Sequence, residues 1–565
     1  MLGPLRTAAA LGSAALFLGA CSTQRPGPAP APVPAVAPEP VRPAAVPPTA
    51  PPVTPPAASP PRTTLRTAPA DWHLLDPALD GVAGVGARRA MTELLANAAP
   101  KRLITVAVID GGVDTAHTAV RAALVLNAKE SPANGKDDDG NGYADDARGW
   151  NFIGGPLGNI DDDRLEVTRL VAACRANGGR SPVAATCAEL EREFSSGRDE
   201  VIAEWSGLRP VLAQYDSLMA VVAKANGIPT AAITDAAIHK LQPKTPGARI
   251  ALERLQGYAA NGLTPSVSRA VRRQSEGRLN FGYNLSYDGR KLVGDTPAMG
   301  RLYGNANVTG PDASHGTAVA SVIGAVSGDS GFVGIAPGVR ILPVRVVPNG
   351  DEYDKDVANG IRYAVDAGAQ VINMSFGKAY SPGKALVDSA VQYAVSRGVL
   401  LVHAAGNEST NVDAKPSYPT ALLSGANAGR AALWIDVGAS SWRAGDRLAA
   451  EFSNYGSTTV DLFAPGVAIF SASPGNGFAR EDGTSLAAPV VSGVATLLLS
   501  QFPTLTAADV KRILMATVTR YDTQQVIKPG SRDQRVPFSS LSISGGVVNA
   551  YEAVKMAIRE TARVP

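Results

Sequence analysis

Cysteine is scarce in this sequence, with three residues among 565, too few for a disulfide-rich scaffold. The sequence also lacks a large net charge, because 53 Lys and Arg are nearly balanced by 50 Asp and Glu. No dense run of Lys and Arg interleaved with aromatic residues occurs, so no nucleic-acid partner is expected. What is present is 45% hydrophobic residues in a chain long enough for a large single-core domain with additions.

The N-terminus has the features of an export signal. Arg6 precedes an apolar stretch over residues 8–19, which is shorter than the roughly 20 residues that span a bilayer. The letters LGAC that end at Cys21 are similar to a bacterial lipobox, a motif whose cysteine is acylated before cleavage. We predict a lipoprotein signal peptide over 1–20 and lipidation of Cys21. An ordinary signal peptide with a chance cysteine is the alternative.

The next segment is rich in Pro and Ala, as in RPGPAPAPVPAVAPEPVRP. Such a composition cannot bury a core, so residues 21–63 are predicted to be the lipidated cysteine and an extended stalk. A Pro-rich ligand for a recognition domain is the alternative. Acyl chains on Cys21 would anchor the protein to a membrane. Because Ser22 and not Asp follows, resemblance to Gram-negative lipoproteins favours the outer membrane, so the expected location is the cell envelope, on its periplasmic or surface face.

Export also bears on the two other cysteines. Cys174 and Cys187 lie close in sequence within one predicted helical region. An oxidising compartment would permit a disulfide bond that closes this short loop. The alternative is a pair of unbonded cysteines that act as small hydrophobic residues. We predict the disulfide.

Beyond the stalk, short apolar runs alternate with helical stretches. The predicted strands are Leu103–Ile109, Ile341–Val347, Gln370–Met374, Val399–Ala404 and Leu433–Val437. The predicted helices are His315–Val326, Gly383–Ser396, Ser485–Ser500 and Ala507–Thr517. This alternation is typical of an α/β fold, a doubly wound and mostly parallel sheet with helices on both faces. Ligands of such sheets bind beyond the carboxyl ends of the strands.

Residues 164–280 break the alternation and are predicted to be a helical insertion between two parts of the main domain, 64–163 and 281–565. Apolar residues there step by four and three, which is a helical seam: Val201, Trp205, Leu208, Leu212, Tyr215, Met219 and Val222. Pro210 interrupts this seam and predicts a kink. Core packing is the first interpretation of the seam, and a lid over the site or a docking arm is the alternative.

Four segments each place a reactive side chain at the end of a predicted element. Asp110 ends the strand in LITVAVIDGGVD, and Asn407 follows the strand in VLLVHAAGNES. His315 begins the helix in DASHGTAVASVIGA, and Ser485 begins the helix in DGTSLAAPVVSGVATLLL. Peptide hydrolysis by a serine needs a nucleophile, a base, a carboxylate that orients the base, and donors for the oxyanion. These four side chains supply them, although each alone has a simpler interpretation as a turn or N-cap residue.

Histidine is scarce enough to narrow the choice of base. The five histidines are His73, His117, His239, His315 and His403. His403 lies in an apolar run and is interpreted as a core histidine, and His117 has no comparable helix setting. His315 is therefore the predicted base.

Together the four segments resemble the subtilisin-like serine peptidases. The family's D-[ST]-G occurs as DGG, H-G-T-H as HGTA, A-A-G-N unchanged and G-T-S-M-A-x-P as GTSLAAP, and the order Asp, His, Ser is the family's. With VINMSFG, FAPGV and GVVNAYEAV, the resemblance covers about residues 100–158 and 290–557. It implies a subtilisin-like fold and serine endopeptidase activity with an acyl-enzyme intermediate. Asp110, His315 and Ser485 would form the triad, the substrates would be proteins or peptides, and the chemistry would need no cofactor.

The resemblance also assigns a substrate-binding edge and an oxyanion donor. Ser375, Phe376 and Gly377 would form an extended edge that pairs with substrate backbone, and Asn407 would donate to the oxyanion together with the Ser485 backbone N–H. The chain departs from the family pattern at Gly111, where a hydroxyl residue is usual, at Ala318 in place of a second His, and at Leu486 in place of Met. None of these departures removes a triad residue.

A separate signal is the acidic stretch NGKDDDGNGYADDARGWNF. Oxygen ligands at alternating positions, as in an EF-hand-type loop, are predicted at Asp137, Asp139, Asn141, the Tyr143 carbonyl and Asp145. The closing Glu of such a loop is missing, and Asp146 is the candidate substitute. A structural calcium ion is the prediction, and a solvated acidic turn is the alternative.

The leading hypothesis is a lipid-anchored endopeptidase that acts on proteins in the periplasm or at the cell surface. A second hypothesis is a catalytically silent peptide-binding surface lipoprotein that keeps the groove. A third, an autotransporter passenger, lacks support because no C-terminal run of alternating strands indicates a barrel. Since free histidine titrates near pH ~6.5, the leading hypothesis predicts activity that rises between about pH 6 and 8.

Overall fold

The computed structural model describes residues 67–131, 133–295, 300–326, 332–425 and 428–562. The predicted signal peptide, the lipidation site Cys21 and the predicted stalk lie outside the described residues.

A nine-stranded sheet forms the centre of the fold, and its strands are parallel except at one edge, where β14 runs antiparallel to β17. In spatial order the strands are β14 (Thr519–Arg520), β17 (Gly546–Val547), β11 (Leu462–Pro465), β10 (Trp434–Ser440), β7 (Leu400–Ala404), β6 (Val371–Met374), β1 (Thr105–Asp110), β5 (Arg340–Arg345) and β2 (Trp150–Asn151). The remaining strands form antiparallel pairs: β3 (Gly154–Gly155) with β4 (Gly158–Asn159), β8 (Leu422–Leu423) with β9 (Gly429–Arg430), β12 (Ile469–Ser473) with β13 (Gly477–Glu481), and β15 (Gln525–Ile527) with β16 (Arg535–Pro537).

The sheet lies between two hydrophobic cores. The sequence of β1 reflects this burial on both faces. Successive side chains of a strand point to opposite faces. Val106 and Val108 accordingly pack into one core, and Ala107 and Ile109 into the other. A strand buried on both faces must be apolar at every position, which explains the unbroken run before Asp110.

Helices cover both faces of the sheet. In chain order they are α1 (Ala87–Arg89), α2 (Glu166–Ala176), α3 (Cys187–Asn226), α4 (Pro246–Ala260), α5 (Pro265–Gly277), α6 (Arg290–Val293), α7 (Ser314–Gly324), α8 (Asp354–Asp366), α9 (Lys384–Ser396), α10 (Thr484–Gln501), α11 (Ala507–Ala516) and α12 (Ala550–Thr561). Helix α10 has the length and hydropathy of a membrane span, but every one of its residues is buried inside the protein. It is the central core helix. The predicted α/β fold class is confirmed.

Each of the five predicted strands differs from its prediction by one to three residues at an end, and β5 is the one that ends earlier than predicted. Strand β5 starts at Arg340 and ends at Arg345, whereas the apolar run predicted Ile341–Val347. The N–H groups of Val346 and Val347 both donate to the Asp110 carbonyl, at 3.0 and 3.3 Å. The chain turns here around the end of β1, so the parallel pairing stops although the apolar run continues.

The segment predicted as an insertion consists of α2 to α5 and the turns between them. A disulfide bond joins Cys174 in α2 to Cys187, the first residue of α3. Helix α3 is continuous over 40 residues and does not end at Pro210. Most of the seam residues of α3 are buried with residues of α4 and α5 in a core separate from the two cores of the sheet. The first part of the segment packs through α2 onto Tyr283.

Candidate active site

Asp110 and His315 meet at the carboxyl edge of the sheet. Asp110 is the last residue of β1 and is 2% exposed, and His315 is the second residue of α7. The two carboxylate oxygens of Asp110 lie 2.9 and 3.0 Å from His315 Nδ1. The Gly111 N–H donates to one of these oxygens at 2.7 Å. This arrangement fixes the imidazole so that its other nitrogen, Nε2, is left for a second partner.

Ser485 occupies the start of a neighbouring helix. Helix α10 begins at Thr484, so Ser485 lies in its first turn, where backbone N–H groups have no acceptor within the helix. Ser485 is 2% exposed, and its Oγ has no hydrogen-bond partner among the described residues. The expected hydrogen bond from Ser485 Oγ to His315 Nε2 is therefore not formed in this structure. Such contacts are often long in free enzymes and shorten when substrate binds.

Asn407 is held in one orientation by Thr484. Its Oδ1 accepts hydrogen bonds from the Thr484 N–H at 2.9 Å and from the Thr484 hydroxyl at 3.0 Å. The same hydroxyl accepts from the Gly406 N–H at 3.1 Å. Because the carbonyl side of the Asn407 amide faces Thr484, the amino group is left as a donor beside Ser485. No local signal in the sequence marks the contact of Thr484 with Asn407.

A hydrogen-bond chain supports the backbone of Ser485 from below. Pro489 has no N–H, so it cannot donate to the Ser485 carbonyl four residues earlier. That carbonyl instead accepts from Ser375 Oγ at 2.8 Å. Asn373 Nδ2 donates to Ser375 Oγ at 2.8 Å, and Ser492 Oγ donates to Asn373 Oδ1 at the same distance. Thus β6 and α10 are locked together beneath the candidate nucleophile.

The predicted substrate-binding edge follows β6. The Phe376 carbonyl accepts a hydrogen bond from His403 Nε2 at 3.0 Å, while His403 Nδ1 pairs with Asp436 at 2.8 Å. His403 is thus a core histidine with both ring nitrogens satisfied. A side chain at Gly377 would lie 2.7 Å from Ser417 Oγ, so only glycine fits without displacement. Since the Phe376 carbonyl is engaged, the edge can offer a substrate the backbone of Ser375 and Gly377.

The end of this edge is pinned to the insertion by buried charges. Lys378 is 5% exposed and forms ion pairs with Glu166 at 2.8 Å and Asp354 at 3.0 Å. Arg169 of α2 also pairs with Glu166, at 2.6 Å. Burial raises the pKa of the neighbouring Glu352 to about 8, although Lys378 lowers it. These contacts attach α2 directly behind Gly377.

Several charges act on His315. Burial lowers the pKa of the imidazole, but the charge and hydrogen bond of Asp110 raise it. Glu481 at the end of β13 and Asp312 before α7 act in the same direction, and together these groups raise the pKa of His315 to about 9. The expectation of a rise in activity between about pH 6 and 8 rested on free histidine, and this environment moves it to higher pH.

The acidic loop brings together a set of ligands that differs from the prediction. Among the described residues, Glu130, Asp137 and Asp139 each offer a carboxylate oxygen within 4.8 Å of the others. Asp145 is not in this group, and its two oxygens accept the N–H groups of Asn134 and Gly135 at 2.9 Å. Glu130 precedes the motif, so the alternating pattern gave no signal for it.

Asn141 and Tyr143, the other predicted ligands, make further contacts in the loop. Asn141 Nδ2 donates to Asp146 at 3.0 Å, and Asn141 Oδ1 accepts from the Tyr143 N–H at 2.8 Å. The Tyr143 ring is buried and packs edge-on against Trp150 and Tyr363. Asp146 is buried and also accepts from the Tyr363 hydroxyl at 2.8 Å. It holds the loop to the main domain.

Comparison with known proteins gives the family. A model of the subtilase family matches residues 295–535. The chain is 41% identical over 191 residues to the thermophilic serine proteinase of Bacillus sp. (strain AK1), covering 33% of this chain and 43% of that protein. It is 32% identical over 245 residues to subtilisin DY of Bacillus licheniformis, covering 43% of this chain and 82% of the relative. The chain belongs to the subtilase family.

The other similarities of this subtilase cover only part of its chain. The chain spans about half the length of several other curated relatives that it matches, as with 51% of subtilisin E of Bacillus subtilis (strain 168). Among solved structures, it is similar to the prenylagaramide maturation protease PagA at 30% identity and a TM-score of 0.35, over 43% of this chain and 82% of that chain. The family resemblance inferred from DGG, HGTA, AAGN and GTSLAAP is confirmed.

Proposed function

We propose that this subtilase is a serine endopeptidase whose triad is Asp110, His315 and Ser485. The observation that carries the proposal is the contact of Asp110 with His315 Nδ1 at 2.9 Å, at the sheet edge where α10 begins with Ser485. The fixed Asn407 amide supports it, because it supplies a donor at the same place. Protein or peptide substrates are proposed from the family.

The proposed reaction has two halves, and in each of them His315 acts first as base and then as acid. His315 Nε2 takes the proton of Ser485 Oγ while this oxygen attacks the substrate carbonyl. The tetrahedral oxyanion accepts hydrogen bonds from Asn407 Nδ2 and the Ser485 N–H. His315 then gives the proton to the leaving amine as the peptide C–N bond breaks. In the second half, His315 takes a proton from the water that attacks the acyl-enzyme and returns it to Ser485 Oγ as the ester bond breaks and the acid product leaves. Asp110 stabilises the imidazolium throughout.

Cleavage of an unfolded protein tests this proposal. Casein incubated with the purified protein should yield peptides cut within the chain, which mass spectrometry identifies. The competing hypothesis, a catalytically silent lipoprotein that keeps the groove, predicts binding of casein-derived peptides without any new termini. Binding without cleavage at every pH up to 10 would favour that alternative.

Replacement of Asn407 by leucine should lower kcat by about 10²–10³, with little change in KM. This scale was measured in subtilisin for the same kind of donor and is taken over from that relative. Leucine keeps the volume but removes the donor to the oxyanion. Steady-state kinetics measures both constants. A matched control is Asn226→Leu, at the exposed end of α3, which should leave kcat unchanged; an equal fall in both variants would contradict the assigned role.

The pH profile of kcat/KM should have its rising limb near pH 9, because His315 must be neutral to act as base and its pKa is raised to about 9. Replacement of Glu481 by glutamine removes a charge that stabilises the imidazolium, so the limb should move to lower pH. Asp199→Asn, an exposed change on α3, is the control. A limb that stays in place in Glu481→Gln would show that Glu481 does not act on His315.

Structural calcium is proposed for the acidic loop. Three carboxylates this close repel one another, and calcium takes six to eight oxygen ligands. Glu130 is buried, and its oxygens accept the N–H groups of Asp138, Asp139 and Asp145 at 2.9–3.0 Å, so the loop is shaped around a carboxylate. The ion would hold the loop against the main domain and would take no part in the chemistry. A fall in Tm on EDTA addition, restored by calcium and absent in Asp137→Asn, would support it.

We also propose that acylation of Cys21 anchors the enzyme in the cell envelope, at the outer membrane if the cell has two. The support is the lipobox-like LGAC and the Pro-rich stretch that follows it. The full chain should partition into detergent and the Cys21→Ser variant into the aqueous phase. Equal partitioning of the two proteins would contradict the proposal that Cys21 is acylated.

A further inference from the structure

A cleft of about 1080 Å³ separates the main domain from the insertion. Gly377 of the substrate-binding edge lines it, as do Ser314, next to His315, and Glu408, next to Asn407. The cleft therefore borders the candidate active site through the neighbours of His315 and Asn407. Its other wall is made by α5, which contributes Ser266, Arg269, Ala270, Arg273, Gln274 and Gly277.

These six residues form one face of α5. They recur at intervals of three and four positions, which places them in a single row along the helix. The residues between them, such as Ser268, Val271 and Ser275, are buried against the rest of the insertion. Helix α5 thus uses one face to join the insertion and presents the other to the cleft.

Charges of both signs line the cleft, and basic residues lie on both walls, because Lys378 and Lys415 belong to the main domain. The α5 face carries Arg269 and Arg273 and no acidic residue. Arg273 pairs with Asp312 at 2.9 Å, while Arg269 is exposed and forms no ion pair within the part of the chain that the structure describes. The acidic residues that line the cleft all belong to the main domain or α3: Asp114, Asp162, Glu193, Asp312, Asp351 and Glu408.

Some of the acidic residues that line the cleft have a partner, and others form no ion pair among the described residues. Asp312 has Arg273, and Glu408 accepts from Asn454 at 2.6 Å. Asp162 lies beside Gly277, its side-chain oxygen 3.1 Å from where a Cβ would stand, and it forms no ion pair among the described residues. A chain that binds between these walls therefore meets arginine on the α5 side and both carboxylates and lysines on the other.

An extended peptide projects successive side chains to opposite sides. We propose that the cleft binds an unfolded substrate segment and selects an acidic side chain at the position that faces Arg269. The inference rests on the proposed endopeptidase function and names a substrate class for it. Because α5 covers one side of the cleft, an extended strand fits where a folded domain would not.

Fluorogenic peptides test this selection. One unfolded peptide is varied at each position in turn with Asp, Ala or Lys, and kcat/KM is measured at low salt. The wild type should prefer Asp to Lys by about tenfold at one position, since ionic hydrogen bonds of this kind are stronger than neutral ones. Arg269→Glu should reverse that preference, and Arg273→Gln should weaken it. Arg249→Glu, an equal charge change on the exposed surface of α4, should leave it intact.

A wild type without any position-specific charge preference would overturn the proposal, and so would a preference that Arg269→Glu leaves unchanged. Labelling of Ser485 by a fluorophosphonate is measured on all the variants. Protein that neither labels nor cleaves means that the endopeptidase function itself has failed. Protein that labels and cleaves without the preference means that only the specificity assignment has failed.

Discussion

Ser485→Ala is expected to abolish measurable peptide hydrolysis, with a fall in kcat of about 2 × 10⁶. That scale is the one known for the nucleophile of subtilisin and is taken from the relative. Alanine removes only the oxygen that attacks the substrate. Because Ser485 Oγ makes no hydrogen bond with any residue that the structure describes, its loss leaves no unpaired partner among them and should not reduce stability.

The control for this variant is Ser217→Ala, on the exposed surface of α3, where the hydroxyl only bonds back to the Ala213 carbonyl at 2.9 Å. It should keep full activity. Peptide kinetics and thermal unfolding are measured on both variants. Residual hydrolysis by Ser485→Ala above about a thousandth of the wild-type rate, free of contaminating protease, would contradict the assignment of Ser485 as nucleophile.

Asp110→Asn should lower kcat by about 10⁴, a loss that is typical of the orienting carboxylate in serine-protease triads. Asparagine keeps the size of the side chain, but it can bind His315 Nδ1 through its amino group and so favours the wrong tautomer. It also removes the charge that raises the pKa of His315. The residual activity should therefore rise at lower pH than in the wild type.

This double effect separates an orienting role from a general loss of folding. A misfolded variant loses amplitude at every pH and keeps the position of the rising limb in its active fraction. The pH profile of kcat/KM is compared with that of Asp522→Asn, a change in an exposed carboxylate. An Asp110→Asn variant with full amplitude, or with an unshifted limb, would contradict the contact as the basis of catalysis.

The periodic parts of this fold could be read from the sequence. Strand β1 is apolar at each buried position because both of its faces are covered, so its existence and its end at Asp110 followed from the run alone. The start of α10 near Ser485 followed from the Gly-Thr-Ser break before a long apolar stretch. At β5 the same reasoning overran by two residues, since the turn around the Asp110 carbonyl leaves no mark in an apolar run.

The supporting contacts of the site could not be read in this way. Thr484 orients Asn407 across 77 positions, and Ser375 supports the Ser485 carbonyl across 110. Local sequence gives such residues only their commonest roles, an N-cap or an edge residue. Glu130 was also not predicted, because it precedes the acidic motif and reaches the other two carboxylates only through the fold. A contact between two polar residues far apart in the sequence leaves no periodic pattern from which it could be predicted.

The sequence predicted the buried seam of α3, but it did not predict that α5 of the same insertion lines a cleft. Val201 and Val222 mark the buried face of α3 because apolar residues recur along it. The face of α5 that lines the cleft is polar, and a polar helix face looks the same whether it meets solvent or a substrate. Only the placement of the exposed Arg269 on the wall of the cleft distinguishes the two.

The most direct test of the central claim is covalent labelling with a fluorophosphonate, followed by mass spectrometry of the digested protein. The account predicts a single adduct, located on Ser485, with labelling lost in Ser485→Ala and slowed in His315→Ala. An intact, folded protein that takes up no label, or that carries it on another residue, would contradict the triad.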